Sequence, residues 1–198
     1  MNNKQGLDSS ALDILFREAR THNGWLDMPV GDDLLKQIYD LAKMGPTAAN
    51  SCPLRIVFVR SKEAKDRLIP LLMKSNQEKT RAAPVVALFA YDRKFYEYLP
   101  RLFPHTDARS WFVGKPDYIE QTMVRNGTLQ AAYFMLAARA LGLDCGPMSG
   151  FNKAKIKEEF FPELDGDVNF ICSLGYGDPA TIYPRLPRLS FDEVCELV

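Results

Sequence analysis

The chain has 198 residues, 46% hydrophobic and 25% charged, with 25 basic side chains set against 25 acidic ones. That length suits one domain with a substantial core, and the balanced charge gives nucleic acid or an anionic membrane no bulk electrostatic handle. Four cysteines without a Cys-x-x-Cys pair and only two histidines, His22 and His105, argue against a metal site of the usual zinc type.

The start, MNNKQGLDSS, carries no apolar core, so a secretory leader is not expected. No apolar run approaches the length needed to cross a bilayer. Cys172, inside VNFICSLGYG, reads as a small buried hydrophobe, and a reduced, cytoplasmic chain is the expectation.

Ser10-Ala11-Leu12-Asp13 has the form of a capping box, followed by Leu12, Leu15, Phe16 and Ala19 at helical spacing. A first helix is therefore predicted to end near Arg20–Gly24. Leu34, Leu35, Ile38, Tyr39 and Ala42 predict a second helix over Asp32–Lys43, stopped by Gly45 and Pro46. RIVFV at 55–59 predicts a strand buried on both faces, since it does not alternate. Ser61 to about Leu72 predicts a third helix, and PVVALFAY at 84–91 a second buried strand.

Residues 92–117 break the rhythm, with six aromatic side chains among Pro100, Pro104 and Pro116. This is too aromatic for a linker and too proline-rich for one long helix, so it reads as an excursion that covers something. The longest helix is predicted over Asp117–Leu141, with Gly142 as its stop. Its stripe, Ile119, Met123, Ala132, Tyr133, Leu136, Ala137 and Ala140, is small enough for close approach of another helix at a dimer interface. The turn GLDCGPMSGFN, a short helix at 153–160, a strand at 168–174 and a final turn opened by Ser190-x-x-Glu193 complete the chain. The fold class is α+β around a small, mostly antiparallel sheet, in one domain over 1–198.

No Gly-x-Gly-x-x-Gly, Walker loop, nucleophile elbow or His-Glu-x-x-His is present. A chain lacking these constellations can leave the chemistry to a cofactor. Five fragments, in order, point the same way: Arg20-Thr21-His22, Pro46-Thr47-Ala48-Ala49-Asn50, Asn76-Gln77-Glu78-Lys79, Gly146-Pro147-Met148-Ser149-Gly150-Phe151, and Tyr176-Gly177-Asp178 with Arg185-Leu186-Pro187-Arg188. Together they resemble the FMN-dependent nitroreductase family. The words ARTHNGW, LFPHTDARSWF, ALGLDCGPMSGF and YPRLPRLSF are similar to its malonic semialdehyde (3-hydroxypropanoate) reductase branch.

The resemblance implies a homodimer with FMN at the subunit interface, NADH or NADPH as electron donor, and no side chain acting as nucleophile. A phosphate dianion needs guanidinium or ammonium donors, and the resemblance assigns that role to Arg20 and Arg188, with Arg185 less firmly placed. His22 falls where the family often has a serine on the phosphate or ribityl chain; a capping or surface histidine is the alternative, as a solvated surface arginine is for each Arg. Asn76 matches the family's ligand of the flavin pyrimidine and Lys79 its cation near the N1–C2=O edge. The alternative places both on an exposed helix face.

In the family the 46–50 loop comes from the other subunit. Pro46, Thr47, Ala48 and Asn50 are the matching residues here, with Thr-Ala replacing Ser-Ser. Pro147, Met148, Ser149 and Gly150 match the segment along the flavin face, where a backbone N–H meets N5; Ser149 stands where another branch has Glu. For a semialdehyde acid the excursion offers Arg101, His105, Arg109 and Trp111. Arg109, beside Trp111-Phe112, is the favoured carboxylate ligand, and the alternative is an Arg109 that bridges an acid such as Asp107. Three functional readings follow: a semialdehyde reductase in pyrimidine degradation, a broad nitroaromatic or quinone reductase, and a non-catalytic FMN-binding module.

Overall fold

A computed structural model describes residues 6–198; the polar start on which the expectation of no leader rests lies partly outside the described residues. Four strands, β1 (Leu54–Val59), β2 (Val85–Asp92), β3 (Asp144–Met148) and β4 (Gly166–Gly175), form one sheet in the order β1-β2-β4-β3 with every pair antiparallel. Eight helices surround it: α1 (Ser9–Leu12), α2 (Asp32–Ala42), α3 (Lys62–Leu68), α4 (Lys74–Ala82), α5 (Leu99–Leu102), α6 (Pro116–Ala140), α7 (Lys153–Phe160) and α8 (Phe191–Val194). The α+β architecture expected from the sequence is the one observed.

The sheet is central, and its two faces carry separate cores. On one, α2 and α6 pack Ile38, Phe134 and Ala138 against Phe89 and Leu174. On the other, Leu68 and Ile156 meet Leu88 and Ile171. β2 is buried at all eight positions, as a central strand reads without alternation. β1 differs from expectation: five of its six residues are only half-buried, because it lies at the sheet edge.

Three local predictions are corrected. The cap of α1 is Asp8, whose carboxylate accepts from the Ala11 N–H, so the Ser10–Asp13 box does not form; α1 runs on as one π-helical turn, Asp13–Arg17. The helix starting after Ser61 does not reach Leu72, because Pro70 turns it into a 3₁₀ segment at Ile69–Leu71. GLDCGPMSGFN is not only a turn. It contains β3, whose Pro147 is tolerated because β3 is an edge strand.

α4 and α6 carry what apolar periodicity missed. α4, KSNQEKTRA, has no apolar stripe, yet it buries Asn76 and Thr80, spaced i, i+4. In α6 the buried face is shifted from the predicted stripe: Tyr133 is exposed, while Thr122, Asn126 and Gln130 are buried beside Phe134 and Ala138. Gly142, at φ +84°, ends α6 as predicted, with the Leu143 and Gly142 N–H groups returning to the Ala138 and Arg139 carbonyls.

The 92–117 excursion builds its own apolar cluster from Phe95, Leu99, Ala108 and Phe112 over Tyr91, Ile119 and Met123. Phe112 stacks on Tyr118 at 5.0 Å and meets the edge of Phe95 at 4.9 Å. The predicted Ser190–Glu193 capping box at α8 is present in both directions.

Candidate active site

One cavity gathers four arginines. About 610 Å³ in volume, it is lined by Arg20, Arg139, Arg185 and Arg188 with Thr21, Asn23 and Tyr183, and no carboxylate lines it. The chain brings them there by pairing the segment after α1 alongside β3, through a Thr21–Cys145 bridge and the His22 N–H on the Cys145 carbonyl at 3.1 Å. The 183–188 tail then folds back over it. Arg20 donates to the Tyr183 carbonyl. Arg185 donates to the carbonyls of Arg17 at 2.5 Å and Ala19 at 3.1 Å, and Arg188 to those of Leu186 at 2.9 Å and Pro187 at 3.1 Å. Carbonyls orient a guanidinium without cancelling its charge, so the cavity stays cationic and suits a phosphate.

Two hydrogen bonds extend this site along α4. Lys79 Nζ donates to Asn23 Oδ1 at 3.3 Å, and Trp25 Nε1 to the Lys79 carbonyl at 3.0 Å. Half burial pulls the Lys79 ammonium below the ordinary lysine pKa. Asn76, 8% exposed, donates Nδ2 to the Gly150 carbonyl at 3.0 Å. A Cβ at Gly150 would sit 2.6 Å from that same Nδ2 and 2.8 Å from the Met73 sulfur, so any larger residue would push the Asn76 amide or Met73 aside. Neither Asn76 nor Lys79 therefore stands on a fully exposed face.

The structure thus draws together Arg20, Thr21, Asn76, Lys79, Gly150, Arg185 and Arg188, from segments up to 168 residues apart. Pro147 and Met148 lie in β3 opposite Cys172 and Ile171, with Met148 sulfur accepting from Thr80 Oγ1 at 3.4 Å, and Ser149 follows them. His22 is placed differently. Its ring is 7% exposed, packs against Gly177 and sets Nδ1 3.3 Å from Asp144 Oδ1, outside the cavity lining.

The 46–50 loop sits apart from the four-arginine cavity of its own chain. The Ala48 N–H donates to Asn126 Oδ1 at 2.8 Å, near the middle of α6, whereas Arg139 is in its last turn. At 1.5 Å rise per residue, the two positions are about 20 Å apart. The loop is strained: Ala49, Asn50 and Cys52 have φ of +51°, +51° and +43°, each costing on the order of 1–3 kcal/mol unless over-determined by its surroundings. Three amides hold it. Asn126 takes the Ala48 N–H and donates to the Thr122 carbonyl, Gln130 Oε1 takes the Leu54 N–H at 3.0 Å, and Asn50 Nδ2 donates to the Leu102 carbonyl at 2.9 Å. Pro46 and Thr47 enter this loop, and Thr47 Oγ1 accepts from the Cys52 N–H at 3.3 Å.

Beside the loop is a second cavity, about 440 Å³, lined by Lys43, Asn50, Cys52, Arg55, Tyr98 and Arg101, among others. Arg109 is not in it. Its guanidinium forms a fork with Glu97, at 2.7 and 2.9 Å, and lies over the Tyr96 ring. The bridging alternative for Arg109 thus describes the geometry, with Glu97 in place of Asp107, which instead caps the Ser110 N–H. Trp111 is 41% exposed against Phe103.

Residues the sequence reading passed over are Asn23, Arg139 and the Asn126–Gln130 pair. Arg139 reads from sequence as a cation complementing a helix C-terminus, and the four-residue spacing of Thr122, Asn126 and Gln130 was a signal hidden by counting polar residues as surface. Among the described residues no His/Cys/Asp/Glu group is placed to hold a metal, and no helix is long and apolar enough to cross a membrane.

This fold has known counterparts. Residues 17–176 match the nitroreductase family. A Ralstonia nicotianae protein provisionally named an NADH dehydrogenase/NAD(P)H nitroreductase is 56% identical over 97% of this chain and 98% of its own length. A Stenotrophomonas maltophilia protein of the same provisional name is 58% identical over 96% and 97%. Among solved structures, a nitroreductase-like protein of Bacillus subtilis superposes with TM-score 0.84 at 21% identity, covering 96% of this chain and all of that one. Another, from Exiguobacterium sibiricum and solved in complex with FMN, gives 0.82 at 20% identity, covering 98% and 99%. The chain belongs to the nitroreductase family.

Proposed function

We propose that this protein is an FMN-dependent NAD(P)H oxidoreductase, acting as a homodimer in the cytoplasm, whose physiological acceptor is malonic semialdehyde, reduced to 3-hydroxypropanoate in pyrimidine degradation. The observation that carries the cofactor reading is the cavity of four arginines, three of them held by main-chain carbonyls, without a lining carboxylate. FMN, when bound, supplies hydride transfer at N5, taking the hydride from NADH or NADPH and giving it to the acceptor in ping-pong order.

The residues present fit that group. Arg20, Arg139, Arg185 and Arg188 offer guanidinium forks to the phosphate. Asn76 offers amide groups to the polar edge of a flat ring, and Lys79 places its ammonium nearby, where negative charge gathers on reduction. Gly150 clears room for close backbone approach, and Pro147 stiffens the strand leading to it. His22 supports β3 through its backbone N–H on the Cys145 carbonyl, and its ring lies outside the cavity.

Pro46, Thr47, Ala48 and Asn50 would complete the site of the partner subunit, which agrees with their distance from the four-arginine cavity of their own chain. The exposed tail side chains Tyr183, Leu186, Leu189 and Phe191 provide apolar surface for that partner. Trp111 and the rest of the excursion would cover the acceptor.

The test is direct. The purified protein is expected to be yellow with flavin absorption bands, dimeric on a sizing column, and bleached anaerobically by NADH or NADPH. Comparing kcat/KM for malonic semialdehyde, a quinone and a nitroarene then ranks the acceptors; a quinone or nitroarene preferred over the semialdehyde makes this a broad reductase. A colourless protein that takes up no FMN rejects the cofactor reading.

A further inference from the structure

We propose that the 440 Å³ cavity beside the 46–52 loop is the subsite for a carboxylate carried by the electron acceptor, and that Arg101 is the residue that binds it. This rests on the oxidoreductase reading above and narrows its acceptors to small anionic ones.

Three cations line the cavity, Lys43, Arg55 and Arg101, and no acid does. They are not equivalent. Lys43 Nζ is paired with Asp40 at 2.5 Å. Arg55 is fixed by Asp92 at 2.6 Å and by the carbonyls of Cys52 and Leu54. Arg101 has neither an ion pair nor a hydrogen bond among the described residues. Its charge is therefore available, in a cavity whose two other cations are already paired with carboxylates.

The other walls suit a flat, singly charged molecule. Tyr98 presents a ring already oriented by the Arg55 guanidinium, 5.2 Å from its centroid. Asn50 and Cys52 bring in the strained loop, and backbone held in sparsely populated conformations clusters at ligand sites. Here the strain is locked by Asn126, Gln130 and the Leu102 carbonyl, and Leu102 is the immediate neighbour of Arg101. α5 thus fixes the loop with one residue and offers a cation with the next. A carboxylate matches the planar guanidinium in two parallel hydrogen bonds. Arg109, the more obvious candidate by sequence, is already matched that way by Glu97. Because Asn50 is the loop amide expected to face the partner's cofactor, an acceptor anchored here would point its reducible end to that cofactor.

The experiment uses the flavin-loaded enzyme with NADH as donor and two acceptors of like shape, 4-nitrobenzoate and 4-nitrobenzamide. The wild type is expected to favour the benzoate in kcat/KM. Arg101→Gln is expected to lower that preference by about tenfold, through KM, the scale of a lost charge-assisted pair, and Arg101→Lys to restore part of it. A preference unchanged in Arg101→Gln, or a change seen only in the KM for NADH, overturns the proposal. Benzoate binding by calorimetry reads the subsite without turnover. If neither nitro compound is reduced, bleaching of the flavin by NADH decides the oxidoreductase reading separately, while loss of benzoate binding in Arg101→Gln still supports the subsite and undiminished binding refutes it.

Discussion

The two cationic cavities meet α6 at Arg139 and at Gln130, about 14 Å apart along the helix, and they hold their charges in opposite ways. At the C-terminal end of the helix, Arg20, Arg185 and Arg188 are steadied by main-chain carbonyls. Near its middle, Lys43 and Arg55 are steadied by Asp40 and Asp92. A carboxylate partner neutralises the cation it orients; a carbonyl does not. The first cavity is thereby suited to a dianion, whereas the second retains one uncommitted charge, Arg101, and suits a monoanion. Position in the chain does not set this difference. The partner chosen for each guanidinium does.

The sharpest way to break the comparison is to empty the first cavity. Arg20→Ala with Arg188→Ala removes two forks, each worth about 1.5–3 kcal/mol to a charged ligand, so FMN affinity is expected to fall by at least about a hundredfold, read by fluorescence titration of the apoprotein. An unchanged FMN Kd would mean the phosphate lies elsewhere.

Next in size is the clamp behind the second cavity. Asn126→Leu leaves the Ala48 N–H without its acceptor and deletes the Thr122 contact. A loss of about 1–3 kcal/mol is expected in urea unfolding. Activity is expected to fall beyond what the lost folded fraction explains, because the loop relaxes from its positive φ.

Lys79 gives a smaller, pH-dependent effect. Burial lowers its folded-state pKa, so its charged form costs stability at neutral pH. That cost is present while the lysine is protonated in both states and fades as pH rises through the lowered value towards the ordinary 10.5. Lys79→Met is therefore expected to match or slightly exceed the wild-type Tm at pH 7, the gap closing as pH approaches 10.5, while weakening FMN binding. A drop in Tm at neutral pH would contradict this account.

Smallest is the excursion's ion pair. Hydrogen bonds from Arg109, then its charge, hold the Glu97 carboxyl below its ordinary value of 4.5. The stabilisation is present above 4.5 and is lost as pH falls through the depressed folded value. Both groups are solvent-exposed, so Glu97→Gln should shift Tm slightly at pH 7 and not at all in strong acid.

Much was legible in the residue order. Gly142 as the end of α6, Ser190–Glu193 as a capping box and the long buried run of β2 depend on neighbours within a few positions, and they formed as read. Arg20, Asn76, Lys79 and Arg188 could be named from their fragments, and the fold brought Arg20 and Arg188 into one cavity and hung Asn76 and Lys79 beside it. β3 was misjudged because Gly-Pro reads as a turn, and only pairing with β4 and with Thr21 makes it a strand. Arg109 was overvalued because sequence adjacency to Trp111 says nothing about Glu97, twelve residues earlier, closing on it through a 3₁₀ turn.

By itself, then, the sequence determined the element types, the helix stops and the roster of cations and amides, since these follow from propensity, capping and residue chemistry acting over a turn or two. Tertiary structure alone decided which guanidiniums meet a carboxylate and which a carbonyl, which amides are buried and that the 46–52 loop is held in a left-handed backbone away from the four-arginine cavity. Those outcomes depend on contacts that span up to 168 residues of chain, where the energy of each pairing is set by burial and geometry that no local pattern encodes.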